Sequence, residues 1–107
     1  KGLLCICFNY GGHQEIIDAT KQLIRDGVAA DDVTKTMLDE RMYGGAVVPP
    51  IDLLIRTSGE QRTSGFMLWR SDYAELYFDD VMWPDFTPER FDAAINEYNR
   101  RQRRFGG

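Results

Sequence analysis

Residues 51–65, Ile51-Asp52-Leu53-Leu54-Ile55-Arg56-Thr57-Ser58-Gly59-Glu60-Gln61-Arg62-Thr63-Ser64-Gly65, change character a third of the way along. The first five are apolar apart from Asp52, and a short apolar run bounded by turn residues reads as a buried strand. From Arg56 the chain turns to arginine, hydroxyl and glycine, which is loop chemistry. A buried strand running into a polar, glycine-containing loop is how ligand loops arise in open α/β sheets, where binding occurs beyond the carboxyl ends of the strands.

The flanking sequence agrees with a layered α/β chain. Leu3–Phe8 is continuously apolar and reads as a second buried strand, parallel to its neighbours. Residues 13–26 carry helical period, with Ile16, Ile17, Thr20, Leu23 and Ile24 on one face and Gly27 as the stop. Asp31 or Asp32 caps a further helix with Val33, Met37 and Leu38 inward, closed by Gly44-Gly45. Val47-Val48-Pro49-Pro50 is a stiff connector. Phe66–Tyr73 reads as a short helix, Glu75–Phe78 as a strand and Trp83–Phe86 as a turn. Thr87 caps the last helix, with Pro88 at its first position and Phe91, Ala94, Ile95, Tyr98, Gln102 and Phe105 along its inner stripe. Strands alternating with helices predict a mostly parallel sheet flanked by helices. Three strands are few for such a sheet, and the chain enters an apolar strand straight after Lys1-Gly2. Both features suit part of a larger domain, while the basic helix fading into Phe105-Gly106-Gly107 reads as a natural terminus.

Bulk properties narrow the function. The 107 residues carry a net charge of −4, with 43 % hydrophobic and 28 % charged residues, an ordinary globular composition. Net acidity argues against general nucleic-acid binding. The basic cluster Arg100, Arg101, Arg103 and Arg104 is still compatible with a small phosphorylated ligand. Cys5 and Cys7 are too few for a zinc site and read as buried free thiols in a reducing cytoplasm. No apolar run approaches the ~20 residues that span a bilayer, so membrane contact would be peripheral.

The chemistry concentrates in the 56–65 loop. Arg56 and Arg62 offer planar forks that match phosphate oxygens. Thr57, Ser58, Thr63 and Ser64 add neutral donors, and a helix beginning near Phe66 would aim its positive end at the same spot. A solvated loop with its arginines paired to Glu60 explains this composition equally well. Glu75, at the head of a strand, is suited either to magnesium, which prefers hard oxygens, or to pairing with an arginine. Asp79-Asp80 reads as a solvated turn, and His13 as a surface or capping residue. Trp69, Tyr77 and Trp83 read as core, and the terminal arginines as a solvated helix end.

In order, NYGG (9–12), DLLIRTSGEQR (52–62), S-x-F-x-LW (64–69), YAELYF (73–78), WPDF (83–86) and RRFGG (103–107) resemble the cis-prenyltransferases of the undecaprenyl diphosphate synthase type. The resemblance implies the C-terminal portion of one six-stranded, mostly parallel domain. It implies that Arg56, Arg62 and Ser64 bind the diphosphate of isopentenyl diphosphate, with Glu60 and Trp83 beside it. It further implies that Glu75 positions Mg2+ and that Arg104, in an Arg-x-Gly tail, reaches an active site. The partners implied are isopentenyl diphosphate, an allylic diphosphate, and either a second copy in a homodimer or a completing N-terminal half. The family's M-D-G-N-x-R-W stretch is absent, so the expectation is an isopentenyl diphosphate half-site, inactive alone. The alternative is a non-catalytic binding or scaffold subunit of a heteromeric prenyltransferase. Gln61 and Gly65 depart from the histidine and asparagine common in the family.

Overall fold

The computed structural model describes residues 2–101. These form two compact units: the residues up to Pro49 with Gly65–Trp69, and Pro50–Ser64 with Arg70 onward.

In the first unit, α1 (Gly12–Arg25) ends as its sequence dictates. Gly27 takes φ +73°, and the Val28 N–H donates to the Leu23 carbonyl at 3.2 Å, a left-handed helix stop that glycine accepts freely. Its inner face differs from expectation. Gly12, Glu15, Ala19 and Leu23 are buried, whereas Ile17 is 46 % and Ile24 72 % exposed. Glu15 sets this rotation. Its carboxylate accepts from the Tyr10 hydroxyl at 2.6 Å and the Tyr43 N–H at 2.8 Å, so a buried charge is satisfied by two donors. The small residues on the same stripe let the backbone approach closely.

Helix α2 (Lys35–Arg41) is capped by Thr34, whose hydroxyl accepts from the Met37 N–H at 3.2 Å. Asp31 and Asp32 instead lie in a 3₁₀ turn, Ala30–Asp32, and Val33 is exposed. Met37 and Leu38 are half-buried, and Arg41 ties α2 to the end of α1 through Asp26 at 2.8 Å.

The 3–8 run is not a strand. Leu4 is 83 % and Phe8 85 % exposed, and Cys5 and Cys7 are exposed as well. A strand needs partners for its backbone N–H and C=O groups, and among the described residues nothing pairs with this segment.

In the second unit, β1 (Leu53–Arg56) and β2 (Glu75–Phe78) pair in parallel, Leu53 opposite Glu75 and Arg56 opposite Phe78. The Asp79 N–H extends the ladder to the Arg56 carbonyl at 2.9 Å, and Leu54 is the buried residue of β1. Residues 64–73, of which Gly65–Trp69 belong to the first unit, are turns rather than a helix. Ser64, Gly65 and Met67 take positive φ, and a right-handed helix does not propagate through left-handed residues. Trp83–Asp85 is a 3₁₀ turn with Trp83 exposed, its ring stacked on Phe86 at 5.8 Å. Helix α3 (Pro88–Arg100) begins at Thr87, whose hydroxyl accepts from the Arg90 N–H at 3.3 Å. Ala94 is fully buried, Ile95 and Tyr98 are half-buried, and Phe91 is exposed; Gln102 and Phe105 lie outside the described residues. The fold is α/β with a parallel sheet, two-stranded among the described residues. No described helix is long and apolar enough to cross a membrane.

Candidate functional site

Arg56 is the last residue of β1, so the sheet itself fixes where its side chain starts. Its Nη1 donates to the Arg62 carbonyl at 2.6 Å and to the Ser64 hydroxyl at 2.9 Å. Both acceptors are neutral, and among the described residues no carboxylate pairs with this guanidinium. One arginine thus gathers Arg62 and Ser64 into a single loop at the carboxyl end of β1, where open α/β sheets place ligands.

Arg62 faces its own acid. Its Nη1 meets the Glu60 carboxylate at 2.5 Å, with the two side chains 69 % and 46 % exposed. An exposed pair of this kind is worth ~0–1 kcal/mol, so an anion carrying two charges can compete with Glu60 for the guanidinium. The loop therefore combines one arginine held on neutral oxygens with one on a weak surface pair.

The start of the loop is fixed from β2. Ser58 and Gly59 both take positive φ. The Ser58 N–H donates to the Val81 carbonyl at 2.7 Å, and the Gly59 N–H to the Asp79 carbonyl at 3.1 Å. Asp79 is buried, contrary to its reading as a solvated turn; Asp80 beside it is exposed. The Asp79 carboxylate accepts from Arg90 of α3 at 2.8 Å and from the Val81 N–H at 3.2 Å. Sequence reasoning missed both Asp79 and Arg90. The available signal was an acidic residue directly after an apolar strand, on the edge where the loop begins.

Glu75 stands opposite Leu53 in the strand pair, and Arg56 opposite Phe78. Glu75 heads β2, three residues back from Phe78, roughly 10 Å along the sheet at ~3.3 Å per residue. Arg101 lies at that end instead, its Nη1 3.5 Å from the Glu75 carboxylate and 2.7 Å from the Leu76 carbonyl. Arg100 and Arg101 also hold the Glu97 carboxyl below its usual range by hydrogen bonding. The expected solvated helix end is thus partly tied down, and Arg103 and Arg104 lie outside the described residues. For magnesium, the described residues offer Glu75 and no group of three or more His, Cys, Asp or Glu. Magnesium at phosphate sites commonly takes one or two protein carboxylates, with phosphate oxygens and water completing the octahedron. The donor set fits in kind.

Two side chains expected in the core sit otherwise. Trp83 is 69 % exposed, and Trp69 is half-buried with its indole N–H on Asp39 at 2.7 Å. His13 is at the surface, at the start of α1. The first unit holds a separate cavity lined by Cys5, Cys7, Tyr10, Glu15, Tyr43 and Met67. Burial there, with the Glu15 carboxylate, raises the Tyr10 hydroxyl pKa well above normal. A tyrosine held protonated as a donor to a carboxylate is a structural arrangement, and among the described residues no cationic side chain lines that cavity.

The family model for undecaprenyl diphosphate synthase matches residues 1–106. The chain is 48 % identical over 107 residues to an isoprenyl transferase of Fusobacterium nucleatum, covering all of this chain and 45 % of that protein. It is 50 % identical over 108 residues to the farnesyl-diphosphate-specific ditrans,polycis-undecaprenyl-diphosphate synthase of Haemophilus ducreyi, covering 97 % of this chain and 44 % of that one. Among solved structures it is similar to lavandulyl diphosphate synthase of Lavandula x intermedia, in complex with dimethylallyl diphosphate. That match has a TM-score of 0.83 and 33 % identity, over 92 % of this chain and 44 % of that one. A probable undecaprenyl diphosphate synthase of Campylobacter jejuni gives a TM-score of 0.79 and 31 % identity, over 94 % of this chain and 45 % of its own. The chain thus spans less than half the length of the relatives it matches. With the parallel strand pair, the arginine–serine loop and a family match along nearly every residue, the chain belongs to the undecaprenyl diphosphate synthase family of cis-prenyltransferases.

Proposed function

We propose that this chain supplies the isopentenyl diphosphate half-site of a prenyltransferase that elongates an allylic diphosphate in cis. The observation that carries this is the Arg56 guanidinium, fixed on the Arg62 carbonyl and the Ser64 hydroxyl at the carboxyl end of a parallel strand. A diphosphate offers several anionic oxygens, which two planar guanidinium forks and a hydroxyl on one loop match in charge. Arg62 would exchange Glu60 for the ligand, and Glu60 would then border the bound headgroup.

In the reaction, the allylic C–O bond breaks and its diphosphate leaves. The isopentenyl double bond forms the new C–C bond to the allylic carbon, and a proton is lost to set the cis alkene. Arg56, Arg62 and Ser64 hold the nucleophilic substrate by its headgroup, so that its double bond meets the allylic carbon in a fixed geometry, a proximity effect. Magnesium would supply electrostatic stabilisation of diphosphate charge, with Glu75 as the proposed protein carboxylate and Arg104 as a further contact. The allylic substrate and its site would come from a completing N-terminal half, either in the same polypeptide or in a partner chain that carries it. The exposed free thiols Cys5 and Cys7 fit a reducing compartment such as the cytoplasm.

Calorimetric titration of isopentenyl diphosphate into the chain tests the half-site. Binding that falls at least about tenfold in Arg56→Ala, the loss of one charge-assisted contact, supports it. No binding by the parent chain, or equal binding by Arg56→Ala, overturns it and favours the scaffold role.

A further inference from the structure

We propose that Asp79 and Arg90 are positioning residues for the diphosphate loop, holding the turn that sets the Arg56 end of it. The inference rests on the diphosphate reading of that loop. Asp79 bonds to the loop through its backbone. Its own carbonyl takes the Gly59 N–H at 3.1 Å and its N–H donates to the Arg56 carbonyl at 2.9 Å. Its carboxylate holds the Val81 N–H at 3.2 Å, and Val81 in turn takes the Ser58 N–H at 2.7 Å. Three backbone bonds therefore connect the 79–81 segment to Arg56, Ser58 and Gly59, and one carboxylate fixes the shape of that segment.

Two physical conditions make the clamp depend on Arg90. The Asp79 side chain is 7 % exposed, so its charge requires a partner, and Arg90 Nη1 at 2.8 Å supplies it from the first turn of α3. Ser58 and Gly59 both sit at positive φ, a conformation uncommon for serine and favoured here by outside restraint. The 79–81 segment provides that restraint, and α3 anchors the segment. A loop that must present a guanidinium to a diphosphate loses affinity when it must first be ordered from a wider ensemble. The pair is thus expected to change affinity without touching the ligand.

The test uses inorganic pyrophosphate as probe. Its affinity for the parent chain, Asp79→Asn, Arg90→Ala and Arg90→Lys is measured by calorimetry, alongside hydrogen exchange at the Ser58 and Gly59 amides. Expected are faster exchange at both amides and a three- to tenfold weaker pyrophosphate affinity in Asp79→Asn and Arg90→Ala, with partial recovery in Arg90→Lys. Arg90 is half-exposed, so Arg90→Ala keeps the question answerable where Asp79→Asn fails to fold. Unchanged affinity and exchange in Arg90→Ala, with the parent chain binding pyrophosphate, overturns the positioning role alone. No pyrophosphate binding by the parent chain overturns the diphosphate reading and this proposal together.

Discussion

Arg56 and Arg62 are both arginines of one loop, yet their surroundings assign them different tasks. Arg56 is held by neutral acceptors and shapes the loop, whereas Arg62 sits on the Glu60 carboxylate at the surface and is available for exchange. In the complete enzyme, Arg62→Ala is therefore expected to weaken isopentenyl diphosphate by about 2–3 kcal/mol, one charge-assisted contact, and the allylic substrate little. Separate titrations of the two substrates check this, and equal losses for both contradict it. Other charged residues act on stability. Hydrogen bonds from Tyr43 to Asp18, from Arg41 to Asp26 and from Arg100 to Glu97 hold these three carboxyls below their ordinary values of 3.8, 3.8 and 4.5. A carboxyl with a lower pKa folded than unfolded stabilises the fold fully above its unfolded value, and that contribution is lost as pH falls through the folded value. The urea midpoint should accordingly drop as pH falls below about 4.5. Asp26→Asn should flatten part of that drop, and added salt should reduce it, because Asp26 is exposed and Asp18 and Glu97 are partly so. A midpoint independent of pH below 4.5 would contradict this assignment.

At the scale of elements, small residues decide how closely backbones meet. A Cβ on Gly12 would lie 1.9 Å from the Gly65 carbonyl oxygen, both within the first unit. Gly12 is the first residue of α1, where on propensity alone Gly12→Ala would gain the helix at most ~1 kcal/mol. The close approach reverses the sign. Gly12→Ala should destabilise by about 1–3 kcal/mol, as overpacking does, and a raised denaturation midpoint would show that the contact opens at no cost. The same contrast separates what the sequence disclosed from what it concealed. Thr87-Pro88 and Gly27 fix helix ends through local chemistry, and Glu75–Phe78 is a strand to the residue. The Arg56–Ser64 loop was legible because residue types and their order carried it. The inner face of α1 was not, because Glu15 is buried by Tyr10 and the Tyr43 backbone, partners 5 and 28 residues away. The turns at 64–73 were also hidden, since positive φ at Ser64 and Met67 contradicts the ordinary preference of those residue types. Asp79 was misread for a similar reason, because its burial depends on Arg90, 11 residues on, in another element.

For the molecule as a whole, the feature that local rules leave unexplained is the apolar run at the start. Leu3, Leu4, Ile6 and Phe8 are 64 %, 83 %, 68 % and 85 % exposed. Side chains of this size are each worth about 1.5–3 kcal/mol on burial, and a contiguous exposed apolar patch marks an association surface. The chain matches less than half the length of these relatives. The expectation is that the chain alone gives no isopentenyl transfer, whereas mixing it with the remaining portion of the Fusobacterium nucleatum relative does. Leu4→Lys with Phe8→Lys should abolish that gain while leaving pyrophosphate binding by the 56–65 loop in place, because the two substituted residues belong to the first unit and the loop's arginines to the second. Sustained turnover by the chain alone would show that it carries both substrate sites. Turnover of the mixture that survives both lysines would show that the partner covers some other surface.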